Sequence, residues 1–161
     1  MARTAVKNER RAHIDVQRRV RGWAPRTADL ARWVNAALGR RAAASELAVR
    51  VVGPAESRRL NAEYRGKDRP TNVLSFPAAP LARAPAVRAL GDVVICAQLV
   101  RQEAEVQGKA LRAHWAHLVV HGTLHLIGYD HERDADARRM ERREIRVLRA
   151  LGFANPYRSV T

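Results

Sequence analysis

Residues 13–20 (HIDVQRRV) alternate apolar and polar side chains, the period of two that lays one face of a strand on a core. Thr27–Leu38 then shifts to helical spacing, with Leu30, Val34 and Leu38 on one face and Gly39 where that helix should stop. Glu46–Val52 (ELAVRVV) returns to a strand pattern. Gly53-Pro54 opens a second helix to about Tyr64, bearing Leu60. After the turn GKDRPTN, Val73–Phe76 is a short strand, and residues 77–85, rich in Pro and Ala, form a surface loop. Gly91–Cys96 (GDVVIC) is apolar on both faces and is therefore expected at the centre of the sheet. Helices should fill the rest, over about Ala97–Gln107, Leu111–Ile127 and Asp134–Leu151, with Asp134 as N-cap and Gly152 as the stop. The pattern predicts an α/β (α+β) fold, a mixed, mostly four-stranded sheet packed with about five helices. With no internal repeat or long linker, residues 13–161 form one domain, preceded by a basic arm over 1–12.

Composition narrows the class. A chain of 161 residues can bury a core without disulfides. Cys96 is the single cysteine, which rules out an intramolecular bridge and fits a reducing compartment. No apolar run approaches a membrane span, and the basic N-terminus lacks the apolar core of a secretory signal, so a cytoplasmic protein is expected. The formal net charge is +14, with arginine supplying 27 of the 30 basic residues; residues 1–26 alone carry +6. Such a surface attracts polyanions, nucleic acid first among them. The alternating charges from Glu132 to Arg149, Glu141 and Glu144 included, read as a solvated helix face with i, i+4 pairs.

The chemistry concentrates in HGTLHLIGYDH. His121 and His125 lie one helical turn apart on one face, and Gly128 lets the chain reverse and bring His131 to the same point. Three neutral imidazoles suit one zinc ion per chain and leave a coordination position open. A structural zinc is the alternative, although such sites close with a fourth ligand, commonly cysteine. The spacing matches that of metzincin proteases except that Gly122 stands where their general-base glutamate belongs. Losing that base costs about 10²–10⁴ in rate, so a metalloprotease is a poor reading. Glycine inside a helix costs about 1 kcal/mol, and Gly122 is expected to open room for a bulky substrate beside the metal. His114 and His117 lie near the histidine face, either in contact with substrate or ligand or simply packed. Asp130 could orient a ligand or close a turn.

A second cluster lies in LNAEYRGKDRPTNVLSFP (60–77): Arg65, Lys67, Arg69, Asn72 and Ser75 could all contact phosphate or RNA. Arg65 could offer a bidentate fork to a phosphate; alternatively it pairs with Asp68 or caps its helix. These two motifs, with LGDVVIC (90–96), HWAHLVVHG (114–122) and the closing Met140, Glu141, Leu151, Gly152, Pro156 and Tyr157, resemble the YbeY family of bacterial zinc-dependent endoribonucleases, from about Ile14 to Tyr157. The resemblance implies a mixed α/β fold with zinc at the base of a basic cleft, held by His121, His125 and His131. It gives Arg65 a catalytic role; Lys67, Arg69, Asn72, Ser75 and His114 are candidates for substrate contact from their own chemistry and position. It further implies a cytoplasmic, single-strand-specific nuclease that uses zinc-activated water in maturing the 16S rRNA 3′ end and in small-subunit quality control. Its partners would be rRNA and the small ribosomal subunit, with ribosome-associated proteins, and no membrane. A non-catalytic RNA-binding assembly factor with structural zinc is the competing reading.

Overall fold

A computed structural model describes residues 11–79 and 87–158. Nearly all of the expected basic arm, and most of the expected loop at 77–85, lie outside those residues. Four strands, β1 (His13–Arg18), β2 (Ser45–Val52), β3 (Val73–Pro77) and β4 (Arg88–Cys96), form one mixed sheet in the order β1-β2-β4-β3. β1, β2 and β4 run parallel; β3 is antiparallel to β4. The most apolar strand is thus an interior one, as its sequence requires. β4 begins three residues before the expected Gly91, because a bulge interrupts its pairing with β2 between Glu46 and Leu47. Gly91 sits there at φ +127°, and a Cβ on it would lie 2.0 Å from the Phe76 carbonyl oxygen. The bulge shifts the alternation by one, so Leu90 faces the same core as Val93 and Ile95.

Among the described residues five helices pack on this sheet: α1 (Thr27–Leu38), α2 (Pro54–Arg65), α3 (Ala97–Gln107), α4 (Leu111–Leu126) and α5 (Asp134–Ala150). α1 buries Leu30, Trp33, Val34, Ala37 and Leu38, the i, i+3, i+4, i+7, i+8 stripe of an amphipathic helix, and stops at Gly39 (φ +58°). A 3-10 turn over Gly39–Ala44, which the hydrophobic pattern does not signal, then leads into β2. Asp134 is the first helical residue of α5, not its N-cap; Arg133 holds that place without a side-chain hydrogen bond.

The sheet separates two cores. The larger lies against α1, α4 and α5; the smaller joins Leu60 of α2 to Val52, Leu74, Val94 and Cys96. α4 is apolar around most of its circumference, burying Trp115, Leu118, Val119, Val120 and Leu124, so it is a central helix and a stiff mount for its histidines. Gly122 lets it approach the sheet. A Cβ there would lie 2.7 Å from Val93 Cγ1 and 3.2 Å from both Ser75 Oγ and Val73 Cγ2. The expectation that Gly122 opens space for substrate is therefore wrong: the missing side chain is filled by β3 and β4.

Candidate metal centre

α4 ends where Ile127 N–H and Tyr129 N–H both donate to the Leu124 carbonyl and Gly128 N–H to that of His125. Gly128 takes φ +100°, a conformation other residues rarely adopt, and the chain turns back. Asp130 Oδ1 accepts the amide hydrogens of His131 (2.7 Å) and Glu132 (3.3 Å), an Asx turn that fixes the backbone carrying His131. The result brings three imidazoles together, with ring centroids 4.8 Å apart for His121–His125, 4.8 Å for His125–His131 and 5.8 Å for His121–His131. One ring nitrogen from each lies within 4.8 Å of the other two, and among the described residues no further His, Cys, Asp or Glu joins them. Cys96, buried on β4, is not part of the group.

The donor set fits a divalent metal. Nε2 of His125 is buried and has no hydrogen-bond partner, a costly state for an imidazole unless something else uses the lone pair. Burial, then the neighbouring His121 and His131, hold His125 at a pKa of about 4, with Arg65 adding to the effect and Asp130 opposing it. At neutral pH His125 is therefore an uncharged ligand.

Behind the trio lies a group the hydrophobic pattern does not reveal. Glu144 of α5 is 0% exposed, not on a solvated face. Its carboxylate accepts from His121 Nδ1, from His117 Nε2 (3.3 Å) and from the Tyr157 hydroxyl, which also lies 3.2 Å from His117 Nε2. Burial would raise its pKa, but the hydrogen bonds from His117 and His121, the His121 charge and the Tyr157 hydroxyl together bring it down to about 2. An ionised carboxylate can only accept, so His121 carries a proton on Nδ1, which leaves Nε2 as the nitrogen that can serve as a ligand. A signal was available: Met140, Glu144, Val147 and Leu148 occupy one helical stripe, and three of the four are apolar.

The other candidate residues divide. Arg65 ends α2 and is exposed, with no hydrogen bond or ion pair among the described residues. The Asp68 carboxylate that could have held it is bound by Arg58 instead, at 2.7 and 2.9 Å. Gly66, in the left-handed region, caps the helix with its own backbone N–H. Lys67 and Arg69 are exposed on a turn stapled to α2, through Asn61 Nδ2 to the Arg69 carbonyl (2.8 Å) and Ser57 Oγ to that of Thr71 (2.9 Å). Asn72 and Ser75 are committed to structure. Asn72 Nδ2 donates to Glu103 (3.1 Å) while its Oδ1 accepts from Val73 N–H, and Ser75 Oγ donates to the Gly122 carbonyl (2.9 Å). His114 is 5% exposed, with Nε2 at 2.9 Å from Glu103, and does not join the trio.

Residues 7–152 match the family described as Endoribonuclease YbeY. The chain belongs to the YbeY family. Membership makes RNA the substrate class, in keeping with the net charge of +14. The chain also shares its fold with TM1509 of Thermotoga maritima, a protein solved in solution, at a TM-score of 0.54. The two are 22% identical, and the match covers 90% of this chain and 99% of the other. No helix among the described residues is long and apolar enough to cross a membrane. As for the metzincin alternative, position 122 has no room for the glutamate that a protease of that class needs.

Proposed function

We propose that this YbeY-family protein is a zinc-dependent endoribonuclease that cleaves single-stranded ribosomal RNA, maturing the 3′ end of 16S rRNA and removing defective small subunits in the cytoplasm. The observation that carries the reading is the three-histidine cluster, without a fourth protein ligand among the described residues, in a chain of an endoribonuclease family. His121, His125 and His131 would hold the metal. A bound zinc would supply Lewis acidity toward water or a phosphoryl oxygen at neutral pH.

The protein's own groups do the rest. Glu144 keeps His121 in the tautomer that ligates, and the Asx turn at Asp130 holds His131 in place. Arg65 has an uncommitted guanidinium, and its charge is felt at His125, so it can take a phosphate oxygen beside the trio and share the negative charge that grows during cleavage. Lys67 and Arg69 extend the positive field along the same turn and hold the flanking backbone. RNA brings its own 2′-hydroxyl: a 2′,3′-cyclic phosphate product would mark attack from the sugar, and its absence attack by water.

Arg65→Ala tests the assignment. Cleavage of a single-stranded RNA should fall by about 10²–10³, the cost of removing one charge-stabilising donor, with bound zinc and Tm unchanged. Retained cleavage would remove Arg65 from the site, and a clear drop in Tm would make it a structural residue.

A further inference from the structure

At the end of the sheet where β2 and β4 begin and β3 finishes, two cavities adjoin. One, of about 220 Å³, lies under Tyr129, Asp130 and Arg139; the other, of about 590 Å³, is the largest described. Arg41, Ile127 and Gly128 line both, so the two form one trough. Its wall over residues 126–130 is the segment that joins two of the candidate ligands: Leu126 follows His125, and Asp130 precedes His131.

Its chemistry is that of a nucleic-acid strand's complement. The larger cavity has two charged lining residues, Arg41 and Arg88, and no acidic one; Leu90, Leu126 and Ile127 supply an apolar wall. Like most of the described arginines, neither belongs to an ion pair among the described residues, so both guanidinium groups can take a phosphate. In the smaller cavity the Arg139 guanidinium lies 5.7 Å from the Tyr129 ring centre, and Asp130 accepts backbone amides; Asp136 also lines it, so the phosphates are assigned to the larger cavity. Its volume places the larger cavity within the roughly 300–1,000 Å³ of ordinary ligand sites. Single-stranded RNA alternates phosphates with flat apolar bases that proteins seat on separate charged and apolar groups.

We infer that this trough holds the single-stranded RNA flanking the cleaved bond, with phosphates on Arg41 and Arg88 and a nucleoside on the Leu90–Leu126–Ile127 wall between them. The assignment rests on the endoribonuclease reading above and adds a path for the strand, on arginines outside the metal centre and the Arg65 turn.

The test compares Arg41→Ala and Arg88→Ala with Arg149→Ala, which removes the same charge in the last turn of α5. That control lies ten residues from Arg139, about 15 Å along the helix. The full chain, zinc-loaded, is assayed for binding and cleavage of a single-stranded oligoribonucleotide between 50 and 200 mM salt, concentrations chosen to expose counterion release. Each trough variant should raise KM by about fivefold and flatten the slope of log K against log salt by about 0.7, the value of one phosphate on a single strand. Both should keep kcat, zinc content and Tm, and Arg149→Ala should match wild type throughout. Equal losses in all three variants would mean a diffuse field and no trough. Unchanged KM and slope in the trough variants, or a fall in Tm, would overturn the assignment as well. Wild type that binds RNA without cleaving it would sink the nuclease reading but leave the trough testable by the slopes; wild type that binds no RNA would sink both.

Discussion

His121 belongs to two clusters, one built around a buried carboxylate and one of imidazoles alone. On one side it meets His125 and His131, an open group whose third member is exposed and whose second carries a buried nitrogen with no hydrogen-bond partner. On the other it meets Glu144, His117 and Tyr157, a closed group built on a carboxylate with 0% exposure and three donors, although His117 Nδ1 is buried without a partner there too. Both satisfy the usual criteria of type and spacing for a metal site. They differ in how their polar atoms are spent. The closed group satisfies its carboxylate internally, so it has little to offer a ligand and much to lose if disturbed. The open group leaves lone pairs unused at one point, which is what a ligand requires. One imidazole thus joins a support to a site.

That contrast can be broken most severely at Glu144. Glu144→Ala takes the acceptor from the half-buried donors of His117 and His121, and from the Tyr157 hydroxyl, at about 1–3 kcal/mol for each buried group left without a partner. A urea titration of the metal-free protein should therefore show a loss of at least about 2 kcal/mol. Zinc affinity, measured by chelator competition, should fall about 10–100-fold as His121 loses its orientation. Wild-type stability in this variant would mean the closed cluster supports nothing.

Gly122→Ala probes the packing that carries both clusters. The added methyl meets Val93, a β-branched residue on an interior strand that cannot easily yield. Overpacking of about 1–3 kcal/mol should outweigh the helix-propensity gain of about 1 kcal/mol, for a net loss near 1 kcal/mol in the same titration. A more stable protein would show that α4 has slack against the sheet. Smallest is Tyr157→Phe, which removes one hydrogen bond to Glu144 and should cost about 0.5–1.5 kcal/mol with zinc affinity almost unchanged. A large fall in affinity would instead place Tyr157 in direct control of the ligands.

Much of the fold was legible because the sequence repeats its periods cleanly. α1 and α3 begin and end where spacing and glycines put them, and the apolar GDVVIC run is interior. The miss at the start of β4 came from the bulge at Gly91, which inverts alternation and so hides three strand residues from a period-two reading. The histidine trio was visible because its geometry is local: one helical turn and one glycine reversal. Glu144 was hidden because its role is set across helices, and the many charges on α5 made one more look ordinary. Gly122 was misjudged for the same reason, since the atoms that fill its place belong to strands 29 and 47 residues earlier in the chain. Local chemistry can be read along the sequence; what packs behind it needs the third dimension.

The most direct measurement of the central claim is the zinc content of purified wild type and His131→Ala, by elemental mass spectrometry on equal amounts of folded protein. Wild type should carry about one zinc per chain, as a three-imidazole site holds one ion, and His131→Ala should carry almost none at an unchanged Tm. If His131→Ala keeps the wild-type zinc, the metal belongs to the His117–His121–Glu144 side, and the open trio is not the metal site.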